Sequence, residues 1–283
     1  MKILLQVPAG LKRKVIELAD KIKGEVFISC EPCFGACDLR DKEAQALGCS
    51  KIVHYGHNKL IESKIPVEYR EMREKINPIP ILEKEFEKIQ GYNSFGLVSS
   101  LQFLDCLQDV KGFLESKGKK AQIGEGKLYP GQILGCELSA ALSNVECYLF
   151  VGSGLFHPLG LSLKTEKPVL FINIEKGRIE DLKEIREKFL RQKFAAIGLA
   201  KGARSFGILI STKPGQLNLE LAEKIKTEIE KKGKKAYFLV LDEIVSEKLP
   251  DLDCYINTAC PRIVIEDRAL FNKPILNPDE LDI

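Results

Sequence analysis

Residues 95–121 read FGLVSSLQFLDCLQDVKGFLESKGKKA, and residues 206–236 read FGILISTKPGQLNLELAEKIKTEIEKKGKKA. Each runs from a short apolar stretch through a turn carrying Ser or Thr into an amphipathic helix, then through Gly-Lys-Lys-Ala towards a second strand. The N-terminal segment is a shorter version. Residues 2–7 (KILLQV) predict a strand ending at Pro8, and residues 11–23 place Leu11, Val15, Leu18, Ala19 and Ile22 on one helical face before residues 24–27 (GEVF). Residues 95–99, 169–174 and 208–211 predict buried strands, and residues 101–117 predict a helix. Strands alternating with helices predict an α/β protein with mostly parallel sheets flanked by helices.

A second similarity follows the first. Residues 49–56 (CSKIVHYG), 147–154 (CYLFVGSG) and 254–260 (CYINTAC) each open a strand with cysteine. The chain therefore reads as three related small α/β domains, at residues 1–92, 93–203 and 204–283, set in a pseudo-threefold arrangement around a shared centre. Length alone, 283 residues, suggests about two domains, and the repeat overrides that expectation.

Composition narrows the function. With 43 basic against 40 acidic residues, the net charge of +3 is too small to imply direct nucleic-acid binding. No apolar run approaches the roughly 18 residues of a membrane span. The N-terminal apolar run is too short for a secretory signal, so the expected location is the cytoplasm. Nine cysteines beside two methionines and no tryptophan are unusual. In a reducing compartment they point to metal or redox roles rather than to a disulfide framework.

Local context sorts the nine. Cys49, Cys147 and Cys254 begin apolar strands, and Cys106 lies in an amphipathic helix, so these four read as small buried hydrophobes. Cys30, Cys33 and Cys37 share the turn-rich segment 29–38 (SCEPCFGACD), Cys136 follows Gly135, and Cys260 precedes Pro261. Glycine beside a ligand lets backbone approach a bulky group. Two metal arrangements fit, beside the reading that the thiols hold no metal at all. In one, Cys30, Cys33 and Cys37 alone hold zinc or an iron–sulfur cluster. In the other, each domain gives one thiolate, Cys37, Cys136 and Cys260, leaving an open metal position suited to catalysis.

Six stretches together resemble the archaeal diphthamide synthesis enzymes, the 2-(3-amino-3-carboxypropyl)histidine synthase family. They are residues 34–38 (FGACD), 53–57 (VHYGH), 131–136 (GQILGC), 152–160 (GSGLFHPLG), 211–216 (STKPGQ) and 257–262 (NTACPR), in order across nearly the whole chain. The resemblance implies the distributed arrangement: a 4Fe–4S cluster held by Cys37, Cys136 and Cys260. It further implies that the unique iron engages S-adenosylmethionine, and that one electron cleaves this co-substrate to a 3-amino-3-carboxypropyl radical and methylthioadenosine. The radical is implied to add to C2 of a histidine imidazole in translation elongation factor 2, the first step towards diphthamide. A homodimer and a separate electron donor are implied as well. The chain departs from the family at residues 8–10 (PAG), where an acidic residue often follows the proline, and Cys30 and Cys33 are extra to the family's three.

The chemistry also asks for groups that orient the sulfonium. Arg262 suits its carboxylate. The turn holding Thr212, Gly215 and Gln216 leads towards a helix and suits a carboxylate or ribose oxygen, or else simply caps that helix. Gly152, Ser153 and Gly154 offer bare backbone to adenine or ribose. The three histidines, His54, His57 and His157, lie after strands and suit contacts with the cluster, cofactor or target imidazole, with Gln6 and Gln132 as weaker candidates. The alternative function is a non-catalytic iron–sulfur partner or electron carrier of the same pathway, against which the presence of all three cysteines argues. The lysine runs at 117–120 and 231–235 read as helix-end surface charge.

Overall fold

The computed structural model describes residues 1–141 and 144–282. Three sheets follow one another along the chain. The first contains β1 (Lys2–Gln6), β2 (Glu25–Ile28), β3 (Lys51–Tyr55) and β4 (Val67–Arg70), in the order β2-β1-β3-β4. The second contains β5 (Ser94–Ser99), β6 (Lys120–Gln122), β7 (Cys147–Gly152), β8 (Val169–Asn173) and β9 (Arg178–Asp181), in the order β6-β5-β7-β8-β9. The third contains β10 (Ser205–Ser211), β11 (Lys235–Leu241), β12 (Cys254–Asn257) and β13 (Ile275–Leu276), in the order β11-β10-β12-β13. All three thus share the order second-first-third-fourth. Every strand pair is parallel except β8 with β9.

The repeat extends to register. Phe95 pairs with Cys147 and Gly96 with Tyr148. In the third sheet Phe206 pairs with Cys254 and Gly207 with Tyr255. Apolar strands such as CYLFVG (Cys147–Gly152) are buried along their whole length, as expected where helices cover both faces of a parallel sheet. Cys49, Cys106, Cys147 and Cys254 are buried free thiols, as their contexts predict.

The helices are α1 (Val15–Ala19), α2 (Asp41–Ala46), α3 (Ile79–Lys84), α4 (Leu107–Ser116), α5 (Phe156–Lys164), α6 (Lys183–Lys201), α7 (Leu219–Lys231) and α8 (Arg262–Glu266). Two predicted helices differ in detail. Residues Ala9–Lys14 and Leu101–Cys106 are 3-10 turns that lead into α1 and α4. Neither Pro8 nor Ser100 caps its helix with a side chain, and tight 3-10 turns are a common way to start a helix. Two stretches pack into a neighbouring sheet's core. Leu82 of α3 and Ile89 join the core of the second sheet, and Ala196 and Ala200 of α6 join that of the third. No helix among the described residues is long and apolar enough to cross a membrane.

Candidate functional site

Cys37 and Cys136 lie in loops that follow the second strand of their sheets, β2 and β6, whereas Cys260 follows the third strand, β12. The third repeat therefore supplies its cysteine from a different loop. Tertiary contacts join these loops. The Gly215 amide donates to the Cys37 carbonyl at 2.8 Å, and Gln216 Nε2 donates to Cys37 Sγ at 3.6 Å. A Cβ at Gly215 would lie 2.6 Å from Cys37 Cβ, so only glycine permits this approach. Gly135, next to Cys136, is similar: its Cβ would fall within the ring of Phe156.

Two clefts meet at the Cys260 segment. One, about 320 Å³, is lined by Phe34, Lys213, Gln216, Cys260 and Arg262. The other, about 510 Å³, is lined by Gly135, Cys136, Thr258, Ala259 and Pro261. The three thiols feel one another. Burial, then the charges of Cys37 and Cys136, push the Cys260 thiol up to about 11. Burial, then the charge of Cys37, raises that of Cys136. The Cys37 thiol is raised chiefly by burial. Ionising all three therefore calls for positive charge among them. The trio lacks the sub-4.8 Å mutual spacing of a single-ion site among the described residues.

Beneath Cys37 is a buried ionic network not anticipated from sequence. Lys213 Nζ meets Asp38 Oδ2 at 2.6 Å, and Arg40 stands 3.5 Å from Asp38 and 2.7 Å from Asp242. Burial raises the Asp38 pKa in spite of these cations. Gln6 Nε2 donates to the Asp38 carbonyl. The only sequence signal was the position of Asp38 and Lys213 inside two of the quoted motifs; their mutual contact spans 175 residues.

The predicted cofactor residues are spread over loops and helix starts of all three sheets. Arg262 lines the first cleft and stacks on Phe34 at 4.2 Å, but is already paired with Glu266 and Asp267. Gln216 faces Cys37 directly. The amides of Thr212, Lys213, Gly215 and Gln216 are all engaged within the protein, and the cap of α7 is Asn218 rather than Ser211 or Thr212. Gly152 ends β7 against Phe150, Ser153 follows it, and Gly154 has φ +70° before α5. His157 stacks on Phe150 at 6.2 Å. His57 pairs with His54 at 2.9 Å, and Asn58 donates to Gln132 at 2.9 Å, joining the first and second sheets' loops.

A sequence model of the family described as diphthamide synthesis protein matches residues 7–283. The chain belongs to this family. It is 34% identical over 292 residues to the 2-(3-amino-3-carboxypropyl)histidine synthase of Pyrococcus horikoshii, covering all of this chain and 85% of that protein. It is 32% identical to the protein of the same name from Methanocaldococcus jannaschii, covering all of this chain and 84% of that one. Among solved structures it resembles Dph2 from Pyrococcus horikoshii with a 4Fe–4S cluster, with a TM-score of 0.91, 33% identity, and coverage of 99% of this chain and 84% of that chain. The diphthamide family thus accounts for the three-sheet architecture.

Proposed function

We propose that this chain is a 2-(3-amino-3-carboxypropyl)histidine synthase that holds a 4Fe–4S cluster on Cys37, Cys136 and Cys260. What supports the reading most is that free thiols from three sheets meet around one segment: Gln216, which donates to Cys37 Sγ, lines one cleft with Cys260, and the adjoining cleft on residues 258–261 is lined by Cys136. The residues fit the group: three thiols spaced too widely for one ion, flanked by glycines that admit bulk, and destabilised as anions until a cationic group joins them. The chemistry the cluster supplies when bound is one electron to the sulfonium of S-adenosylmethionine, which breaks its bond to the aminocarboxypropyl carbon and leaves methylthioadenosine.

The protein's own residues bind and orient. Gln216 polarises Cys37 through its hydrogen bond, and Phe34 and Arg262 wall the cleft beside Cys260. Arg262 is proposed to receive the amino-acid carboxylate by exchanging one of its acidic partners. Gly215 acts on the site by fixing the loop against Cys37, and Thr212 ties the same loop to Leu241 at the end of β11, because their amides are spent. Gly152, Ser153, Gly154 and His157 are proposed to border the nucleoside. The acceptor is proposed to be a histidine of translation elongation factor 2, with a separate electron donor, a homodimeric assembly, a cytoplasmic location and domains 1–92, 93–203 and 204–283.

Anaerobic purification of the wild type and of single Cys→Ala variants tests the reading. Iron content and methylthioadenosine formation after dithionite reduction are expected to collapse in Cys37→Ala, Cys136→Ala and Cys260→Ala, and to persist in Cys30→Ala. Full iron and activity in Cys136→Ala and Cys260→Ala would overturn the distributed site. A loaded cluster without methylthioadenosine would favour the electron-carrier alternative.

A further inference from the structure

Cys33 is not used by the three-cysteine centre, yet it is only 2% exposed and has no disulfide partner. It sits with His54 and His57, and one ligand atom from each lies within 4.8 Å of the others. We propose that Cys33, His54 and His57 form a second metal site, for one zinc-type divalent ion, distinct from the three-cysteine centre.

The hydrogen bonds around the site support ligation. His54 Nδ1 is 3.2 Å from Gln6 Oε1, and that oxygen can only accept. The proton therefore sits on His54 Nδ1, and its Nε2 lone pair points at His57 Nδ1, 2.9 Å away. A carbonyl oxygen that fixes the far nitrogen of a ring is the usual support of a metal-binding histidine. Gln6 is itself held in place, since its Nε2 donates to the Asp38 carbonyl. Cys33 Sγ has only a long contact, 3.6 Å, to the Gly35 carbonyl.

Entry of the ion balances simply. The shared proton on His57 Nδ1 moves to its Nε2, and the Cys33 thiol loses one proton to solvent. One thiolate and two neutral imidazoles then face the cation, a donor set that suits zinc and leaves a fourth position open. The ion would clamp the loop carrying Cys37 to the end of β3. Cys30 lies outside the group and is exposed.

The test uses the full chain with its cluster, incubated with zinc chloride and passed through gel filtration before metal analysis. The expected result is one zinc per chain in the wild type. Zinc should be lost from Cys33→Ala and from His57→Gln while iron is unchanged. Gln6→Ala should weaken zinc binding by about 10–100-fold. A variant with Cys37, Cys136 and Cys260 all changed to Ala should still take up one cobalt(II), with a thiolate charge-transfer band. Cysteine-33-dependent zinc in a wild type that holds no iron would sink the iron–sulfur reading and leave this one standing. Zinc retained in both Cys33→Ala and His57→Gln, zinc lost together with iron in Cys33→Ala, or no cobalt in the triple variant would overturn the proposal.

Discussion

Gly215 and Cys37 illustrate how much of the site depends on single atoms. Gly215 has ordinary backbone angles, so its glycine is required by space rather than by conformation: a methyl would meet the Cα, Cβ and carbonyl of Cys37 at 2.6–2.8 Å. Gly215→Ala should therefore push Cys37 aside. The expected outcome is a loss of about 1–3 kcal/mol in stability from overpacking, together with a severalfold drop in bound iron, read by denaturant unfolding and iron analysis. Gly10→Ala, where a methyl would meet nothing within 4 Å, serves as the control. A Gly215→Ala protein with full iron would show that the contact does not place the ligand.

Helix α5 carries His157 in its first turn, where the positive end of the helix and the apolar Phe150 face both disfavour a charged ring. Burial, then the nearby His57, hold the His157 pKa down at about 4. A histidine depressed in the folded state binds its proton more readily when unfolded. Its contribution is thus complete above pH 6.5 and is lost as the pH falls through 6.5 towards 4. The effect is on the order of 2 kcal/mol. Urea unfolding between pH 7.5 and 4.5 should show this decline, and His157→Gln should flatten it relative to the wild type. Pro158, Leu159, Gly160, Leu161 and Ser162 of the same helix are buried in succession, so α5 is covered around most of its circumference and carries no single apolar stripe. The start of α7 lies further along the chain than the Ser-Thr turn predicts. Ser211 and Thr212 look like caps, but Lys213, Pro214 and Gly215 belong to a loop clamped on Cys37, so the helix begins only after Asn218.

The three units are joined by polar contacts that no single unit could satisfy. Lys213 from the third sheet's loop neutralises Asp38 from the first, and both side chains are almost fully buried. Lys213→Met should cost about 1–3 kcal/mol, because it removes the cation hydrogen-bonded to the buried Asp38 and leaves that carboxylate Arg40 at 3.5 Å. In a cycle of Asp38→Asn, Lys213→Met and their combination, the double variant should lose less than the two single losses summed, and losses that simply add would show the pair to be uncoupled. The fold was legible because it rests on local signals, the alternation of strand and helix and a recurring Gly-Lys-Lys-Ala, whereas local signals left Cys30, Cys33 and Cys37 level with Cys37, Cys136 and Cys260, and only the six motifs taken together favour the second set. The meeting of Cys33 with two histidines, the Asp38–Lys213 pair and the displaced position of Cys260 were not legible. Hydrophobic periodicity follows from neighbours three or four residues apart, so the chain itself encodes its elements and their parallel arrangement. Contacts across 175 residues depend on how three sheets pack, and only that packing decides which buried polar groups face one another.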